Sequence, residues 1–210
     1  MKKMDQTRLE KLREALALTN ERNAARERKL ANLIYFASAI ALLGVAGVAI
    51  NKSSIFINVT SSMPVGFYKK HALPGTITPG MTVLLCPPSP AASPAIRQAI
   101  KDNWLIKSNN TPCKDHLVPF LKNIAAVPGQ KISIKMSGIY VDGSKLSKTK
   151  IQPVAKNGKK IVHYPLGTYT VQPGHVWLWD NSSKWAYDSR YWGPIPVGNL
   201  VASARPVLTW

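Results

Sequence analysis

The sequence predicts a mainly β domain held behind a single transmembrane helix, and three observations predict it. Residues 31–50 read ANLIYFASAIALLGVAGVAI, twenty residues without a charge, which at about 1.5 Å per residue spans a hydrocarbon core of roughly 30 Å. Past that run, short stretches rich in β-branched and aromatic residues are cut apart by Pro-Gly and Asp-Gly pairs, the rhythm of a sandwich or barrel. The only two cysteines, Cys86 and Cys113, both follow the apolar run. The length, 210 residues, suits one domain with appendages.

Residues 1–30 are rich in Glu, Lys, Arg, Ala and Leu, lack Gly and Pro, and place Leu9, Leu12 and Leu16 at helical spacing. They read as a cytoplasmic helical segment, solvated or docked on a lipid surface. The run 31–50 reads as the membrane span; a cleavable signal fits less well, because its apolar region is shorter and a thirty-residue, largely polar segment precedes this one. Arg26, Arg28 and Lys29 crowd its first end, whereas only Lys52 lies within fifteen residues past the other. The positive-inside rule puts the amino terminus in the cytoplasm and exports residues 51–210. An oxidising compartment then lets Cys86 and Cys113 pair, closing a loop for which the chain-entropy model gives roughly 3 to 4 kcal/mol. Two unpaired buried thiols are the alternative.

Strands are expected at 54–60, 81–85, 120–127, 131–136, 138–141, 164–171, 175–180 and 199–207. Between the cysteines the composition changes, and 87–119 reads as a partly helical insertion in which Ser93-Pro94 has the cap-then-first-turn order of a helix running to about Asn103. The lysine-rich stretch 145–160 reads as a solvated hairpin or loop, with an anionic-lipid contact as the minority reading. The net charge is +18. It is spread over both halves: nine Lys or Arg against five Asp or Glu in 1–30, and nineteen against five in 51–210. Dispersed charge on an exported body favours an anionic lipid membrane over nucleic acid as partner.

The chemistry concentrates in three places. Ser61-Ser62-Met63-Pro64-Val65-Gly66 is a serine-bearing turn directly past the anchor, and a serine hydroxyl becomes a nucleophile when a neighbouring base takes its proton. Turn residues collect in such stretches for conformational reasons alone, so the turn needs a base to mean more. Lys122 lies in FLKNIAAV, where strand alternation puts it on one face with Phe120, Ile124 and Ala126. It either snorkels from the strand end or is desolvated into a neutral amine able to act as a general base. The third place, WLWDN followed by YDSRYWGP, sets Asp188 two residues before Arg190, a spacing suited to a local ion pair, while Ser189 or Asn181 can hydrogen-bond the base. No pattern asks for a metal or other cofactor, and His71, His116, His163 and His175 sit in no catalytic box.

Three such segments behind an amino-terminal anchor resemble the signal peptidases that use a serine–lysine dyad, peptidase family S26, and within them the conjugative-transfer branch of the TraF type. Ser62-Met63-Pro64, with Asn58-x-Thr60 before it and Gly66-x-Tyr68 after it, matches the nucleophile box. Leu121-Lys122-Asn123 and 125–129 match the lysine box, and Asp180-Asn181 with 188–194 match the third. The resemblance implies Ser62 as nucleophile, Lys122 as general base, an oxyanion hole from the Ser62 amide and the Thr60 hydroxyl, and support from Asp188 and Arg190. Departures are Asn123 for an Arg, Gln130 for an Asp, Trp179 for a Gly, and Ala186 where many relatives carry a serine that orients the lysine. It further implies an inner-membrane, single-pass serine endopeptidase with a periplasmic catalytic domain. Its substrate would be a propilin-like precursor or another component of conjugative type IV secretion, with cyclisation as a variant outcome. A non-catalytic assembly subunit of the secretion machinery and a housekeeping signal peptidase are the rivals. Phe56, Phe67, Trp177, Trp179 and Trp192 are candidates to seat the domain at the bilayer interface, with core packing at least as good a reading of any one of them.

Overall fold

The Pro-Gly punctuation does cut the body into strands, and a computed structural model describes how they assemble over residues 6–52 and 54–210. Residues 1–5 and Ser53, parts of the expected cytoplasmic segment and of the junction, lie outside the described residues. So do the side chains of 6–9, 12, 15 and 45–52, among them Leu9, Leu12 and Lys52. The chain divides into two units, Met1–Ser53 and Ser54–Trp210.

In the first unit one helix, α1 (Gln6–Lys52), runs without a break through the boundary expected at 30/31. No Pro or Gly interrupts it before Gly44, so nothing in the chain ends one helix and starts another. Its described apolar side chains, from Leu33 and Ile34 to Leu42 and Leu43, are exposed. Among the described residues no helix is long and apolar enough to cross a membrane. The side chains described in the expected span stop at Gly44, short of its end at Ile50.

The second unit contains, in chain order, β1 (Ile55–Asn58), β2 (Gly66–His71), β3 (Thr82–Leu85), α2 (Pro94–Lys101), β4 (Phe120–Ala126), β5 (Lys131–Lys135), β6 (Gly138–Val141), β7 (Ser144–Lys145), β8 (Gly167–Thr170), β9 (His175–Trp179), α3 (Ser189–Trp192), β10 (Ile195–Pro196) and β11 (Leu200–Thr209). Seven strands form one sheet in the order β1-β2-β11-β3-β4-β9-β10, and four form another in the order β7-β6-β5-β8. All described pairings are antiparallel.

The expected strands are present within a few residues of their ends. Four elements were not foreseen: β2, α3 and the two-residue strands β7 and β10. β2 has only Gly66 and Tyr68 buried, so its sequence GFYKKH carries no repeating apolar face. α3 is a single turn, too short to show a helical period. As expected, α2 begins at Ser93, whose hydroxyl accepts from the Ile96 amide at 3.3 Å with Pro94 in the first turn. The stretch 145–160 folds back on itself through an antiparallel bridge between Val154 and Lys160.

The sheets enclose a large apolar core around Ile124, Ile132, Ile139, Trp177 and Leu178. A smaller cluster of Met63, Tyr68, Leu84, Leu121, Ala202 and Ala204 underlies the serine turn. Of the aromatic side chains read as either interface or core residues, Trp177 and Trp192 are core, buried because their strand and turn are covered on both faces. Phe56 and Trp179 are half-buried, and Phe67 alone of the five is exposed. It meets Trp210 edge-on, beside exposed Val207 and Leu208.

Candidate active site

A strand that ends on a buried asparagine shapes the serine turn. Asn58, the last residue of β1, donates through Nδ2 to the carbonyl oxygens of Thr60, Met63 and Pro64, each at 3.0 Å. Its Oδ1 accepts from the Thr60 amide at 3.2 Å and from the Thr60 hydroxyl at 2.8 Å. One side chain thereby satisfies the polar groups of a turn that cannot satisfy them within itself. Behind the turn the Tyr68 hydroxyl donates to the Pro64 carbonyl at 2.8 Å. Gly66 has φ of 150°, and a Cβ there would collide with the Leu208 carbonyl of β11, so glycine is required.

Ser62 Oγ lies 3.1 Å from Thr60 Oγ1. Thr60 has a single hydroxyl proton, and the acceptor-only Asn58 Oδ1 takes it. The proton between the two hydroxyls is therefore that of Ser62, which in this conformation points at Thr60. For the Thr60 hydroxyl to donate into an oxyanion hole, it has to release Asn58.

Lys122 sits in the middle of β4 opposite Val83, on a strand buried along nearly its whole length. The expectation of a lone ammonium on one apolar face is corrected in two respects. Both faces are covered, and the ammonium has a partner: Nζ donates to Asp180 Oδ2 at 3.2 Å, with both side chains almost wholly inaccessible. Asp180 immediately follows β9, and its other oxygen accepts from the Ser182 amide at 2.6 Å. Burial pushes the Lys122 amine below its ordinary value, against the pull of Asp180 in the other direction. Burial likewise raises the Asp180 carboxyl, against the pull of Lys122. Both shifts have one cause: neither charge retains the water that would stabilise it.

Asp188 and Arg190 form the expected local pair, and far more. Arg190 Nε and Nη2 grip the carboxylate at 2.8 and 2.9 Å. Nη1 donates to the Lys148 and Lys150 carbonyls, and Nη2 also to that of Ala186. The pair is entirely buried. It contributes to the field at Lys122, with Asp188 favouring the ammonium and Arg190 opposing it. Among the described residues no hydrogen bond joins Ser189 or Asn181 to Lys122. Ser189 Oγ accepts from the Leu178 amide at 3.0 Å, and Asn181 is exposed. Reasoning on the sequence named Asp180 only as part of a motif. The signal for its role was a carboxylate closing an otherwise apolar strand, WLWD.

Ser62, Thr60 and Lys122 line one cleft of about 430 Å³. Among the described residues no hydrogen bond joins Ser62 to Lys122. Cys86 and Cys113 are joined in a disulfide, with Cα atoms 5.2 Å apart, and the cleft also receives residues from the loop it closes, including Trp104, Ile106 and Pro112. Among the described residues no group of three or more His, Cys, Asp or Glu is placed to hold a metal ion.

The family model for signal peptidases, peptidase S26, matches residues 28–210. The conjugal transfer protein TraF of Agrobacterium fabrum is 31% identical over 183 residues, covering 82% of this chain and 97% of its own. A plasmid transfer protein TraF of Escherichia coli is 28% identical over 173 residues, covering 82% of this chain and 91% of its own. A crystal structure of signal peptidase I from Enterococcus faecalis superposes with a TM-score of 0.33 at 14% identity, covering 61% of this chain and 96% of that one.

Proposed function

The chain belongs to the signal peptidase family, peptidase S26, and from that premise we propose that it is a serine endopeptidase that removes leader peptides from exported precursors, with Ser62 as nucleophile and Lys122 as general base. The observation that carries this reading is a fully buried amine, made less basic by its burial, on the wall of the cleft that also holds Ser62. Burial that disfavours the ammonium makes the free amine more available to take a proton from serine than that of an ordinary exposed lysine.

In the proposed reaction the Ser62 hydroxyl turns from Thr60 toward Lys122. Neutral Nζ accepts its proton as Oγ attacks the scissile carbonyl, and the ammonium so formed is held by Asp180. The oxyanion is met by the Ser62 amide and, once released from Asn58, the Thr60 hydroxyl. Collapse of the intermediate expels the leaving amine, which takes the proton from Lys122. Water then repeats the sequence on the ester, with Lys122 again as base. If an internal amine attacks the ester in place of water, the product is cyclic.

The names of the relatives support conjugation as the setting, and the substrate proposed is a pilin precursor or another component of the conjugative type IV secretion machinery. The location proposed is a bacterial inner membrane, crossed once by residues 31–50, with the amino terminus cytoplasmic and residues 51–210 periplasmic. Three features support it: the uncharged run, the exposed apolar side chains of α1, and the excess of basic residues before the run. The exposed group Phe67, Val207, Leu208 and Trp210, close to the basic Lys69 and Arg205 in the β2–β11 pairing, is suited to an anionic lipid surface.

The test is the intact mass of the candidate precursor co-expressed with the native chain or with Ser62→Ala. Loss of the leader only with the native chain is the expected result, and a product one water lighter than the linear form reports cyclisation. Unprocessed precursor with both chains, both membrane-bound and folded, across a panel of exported precursors, favours a non-catalytic assembly subunit instead.

A further inference from the structure

The family reading does not say what the disulfide-closed loop between β3 and β4 is for, and its placement supplies an answer. We propose that this loop is the side-chain-reading wall of the cleft, with Trp104 and Ile106 selecting an extended apolar segment of the bound chain. The proposal rests on the peptidase reading for the identity of the occupant, the leader segment that reaches Ser62, and on the loop's own geometry for the rest.

Two stretches supply most of the cleft lining. One is β1 with the serine turn; the other is the loop, through Trp104, Leu105, Ile106, Asn110, Pro112 and Val118. The second stretch is held in a fixed shape. Val118 N donates to the Ile106 carbonyl at 3.0 Å and Ser108 N to that of His116 at 2.8 Å, making a short antiparallel ribbon between the two sides of the loop. The Thr111 hydroxyl donates to the Leu117 carbonyl at 2.8 Å, and the Leu117 side chain is sunk in the large core. The Trp104 ring meets Tyr187 edge-on at 6.2 Å, and the Tyr187 hydroxyl donates to the Ala95 carbonyl of α2 at 2.7 Å. α2 is fastened in turn to the lysine-rich stretch: Val162 N donates to Gln98 Oε1 at 2.7 Å, and Asp102 pairs with Lys159 at 2.6 Å. The disulfide closes the loop at its base.

On this fixed ribbon Ile106 is left 58% exposed, and Ile57 and Val59 of the other stretch are 51% and 66% exposed. A single exposed apolar side chain means little, but three lining one cleft with a candidate nucleophile form a surface that binding would desolvate. A preorganised wall spends little ordering entropy on its ligand, so its contribution appears in affinity. The expected effect is on binding and selectivity, with the bond-breaking step untouched.

The test uses the full chain in detergent micelles and a library of internally quenched decapeptides randomised one position at a time. Binding is measured on the Ser62→Ala chain with and without Ile106→Ser, and turnover on the chain with Ser62 intact. Ile106 is exposed, so Ile106→Ser should keep the thermal midpoint; Val154→Ser, at another exposed apolar position outside the cleft, is the control. Ile106→Ser is expected to weaken binding of peptides with a large apolar residue at the selected position by about tenfold, the scale of one apolar contact. In turnover the same change should raise KM with kcat kept within about twofold. Equal binding with and without Ile106→Ser, including no binding by either, overturns the proposal. Weakened binding without turnover by the native chain upholds the wall and removes the peptidase.

Discussion

Two buried ion pairs end on the same short segment after β9, and they are built to opposite designs. Arg190 has five N–H donors, and five hydrogen bonds to Asp188, Ala186, Lys148 and Lys150 use them. Lys122 has three donors when charged, and among the described residues it makes one hydrogen bond, at 3.2 Å, to Asp180. A guanidinium with every donor occupied has nothing left to give a substrate, and its work is to tie two stretches of backbone together, 148–150 and 186–190. The Lys122 amine, with one long bond, lines a cleft and keeps donors that Arg190 has used up. Burial alone does not mark a functional charge; unused hydrogen-bonding capacity beside an accessible space does.

The sharpest way to break this contrast is Lys122→Met. It should reduce precursor processing by at least about 10³-fold, while shifting the urea midpoint less than any change at Arg190. Retention of a tenth of the activity would erase the distinction. Arg190→Met is expected next, costing about 3–5 kcal/mol in urea unfolding because it strands a buried carboxylate and three carbonyls. Arg190→Lys should recover little, since an ammonium cannot span the same fork. A cost below about 1 kcal/mol would show the pair to be ornamental.

Asp180→Asn sharpens the comparison at a smaller scale. The carboxylate holds a proton on Lys122, so its removal should move the acidic limb of the kcat/KM profile to lower pH. The plateau should drop about 10²-fold as the ammonium loses its counter-charge during the reaction. An unmoved limb would mean that Asp180 does not govern the base. The smallest effect is in stability against pH. Between the lowered folded value of Lys122 and its ordinary value, the unfolded chain holds a proton that the folded chain has given up. Stability should therefore rise with pH across that window, by at most about 1.4 kcal/mol per pH unit, and Lys122→Met should flatten the rise.

The strands around Lys122 were legible because turn residues bound them and because FLKNIAAV and WLW are apolar at nearly every position. β2 was not, because Phe67 and Lys69 on one face, and Lys70 on the other, leave Tyr68 as its one buried large side chain. Its place in the sheet comes from pairing with β11, some 135 residues later, which no local pattern announces. Within the site, Ser62 and Lys122 were legible as a serine in a turn and a cation out of place. The partner of Lys122 was not. Asp180 is 58 residues away in sequence, and only the β4–β9 pairing brings the strands together. Ser189 or Asn181 was read as able to hydrogen-bond the base, yet the Ser189 hydroxyl oxygen accepts from the Leu178 amide. That competition is visible only when backbone donors are counted in three dimensions.

The pairing of β2 with β11 also sets a schedule. Leu208 and Thr209 lie opposite Phe67 and Gly66, and Trp210 N donates to the Val65 carbonyl at 3.0 Å, so the segment behind the serine turn is clasped by residues nearly 150 positions downstream. At about 5–20 residues per second, a ribosome makes that clasp roughly seven to thirty seconds after Ser62. Through that interval the emerging chain carries Ser62 without the strand that backs its turn.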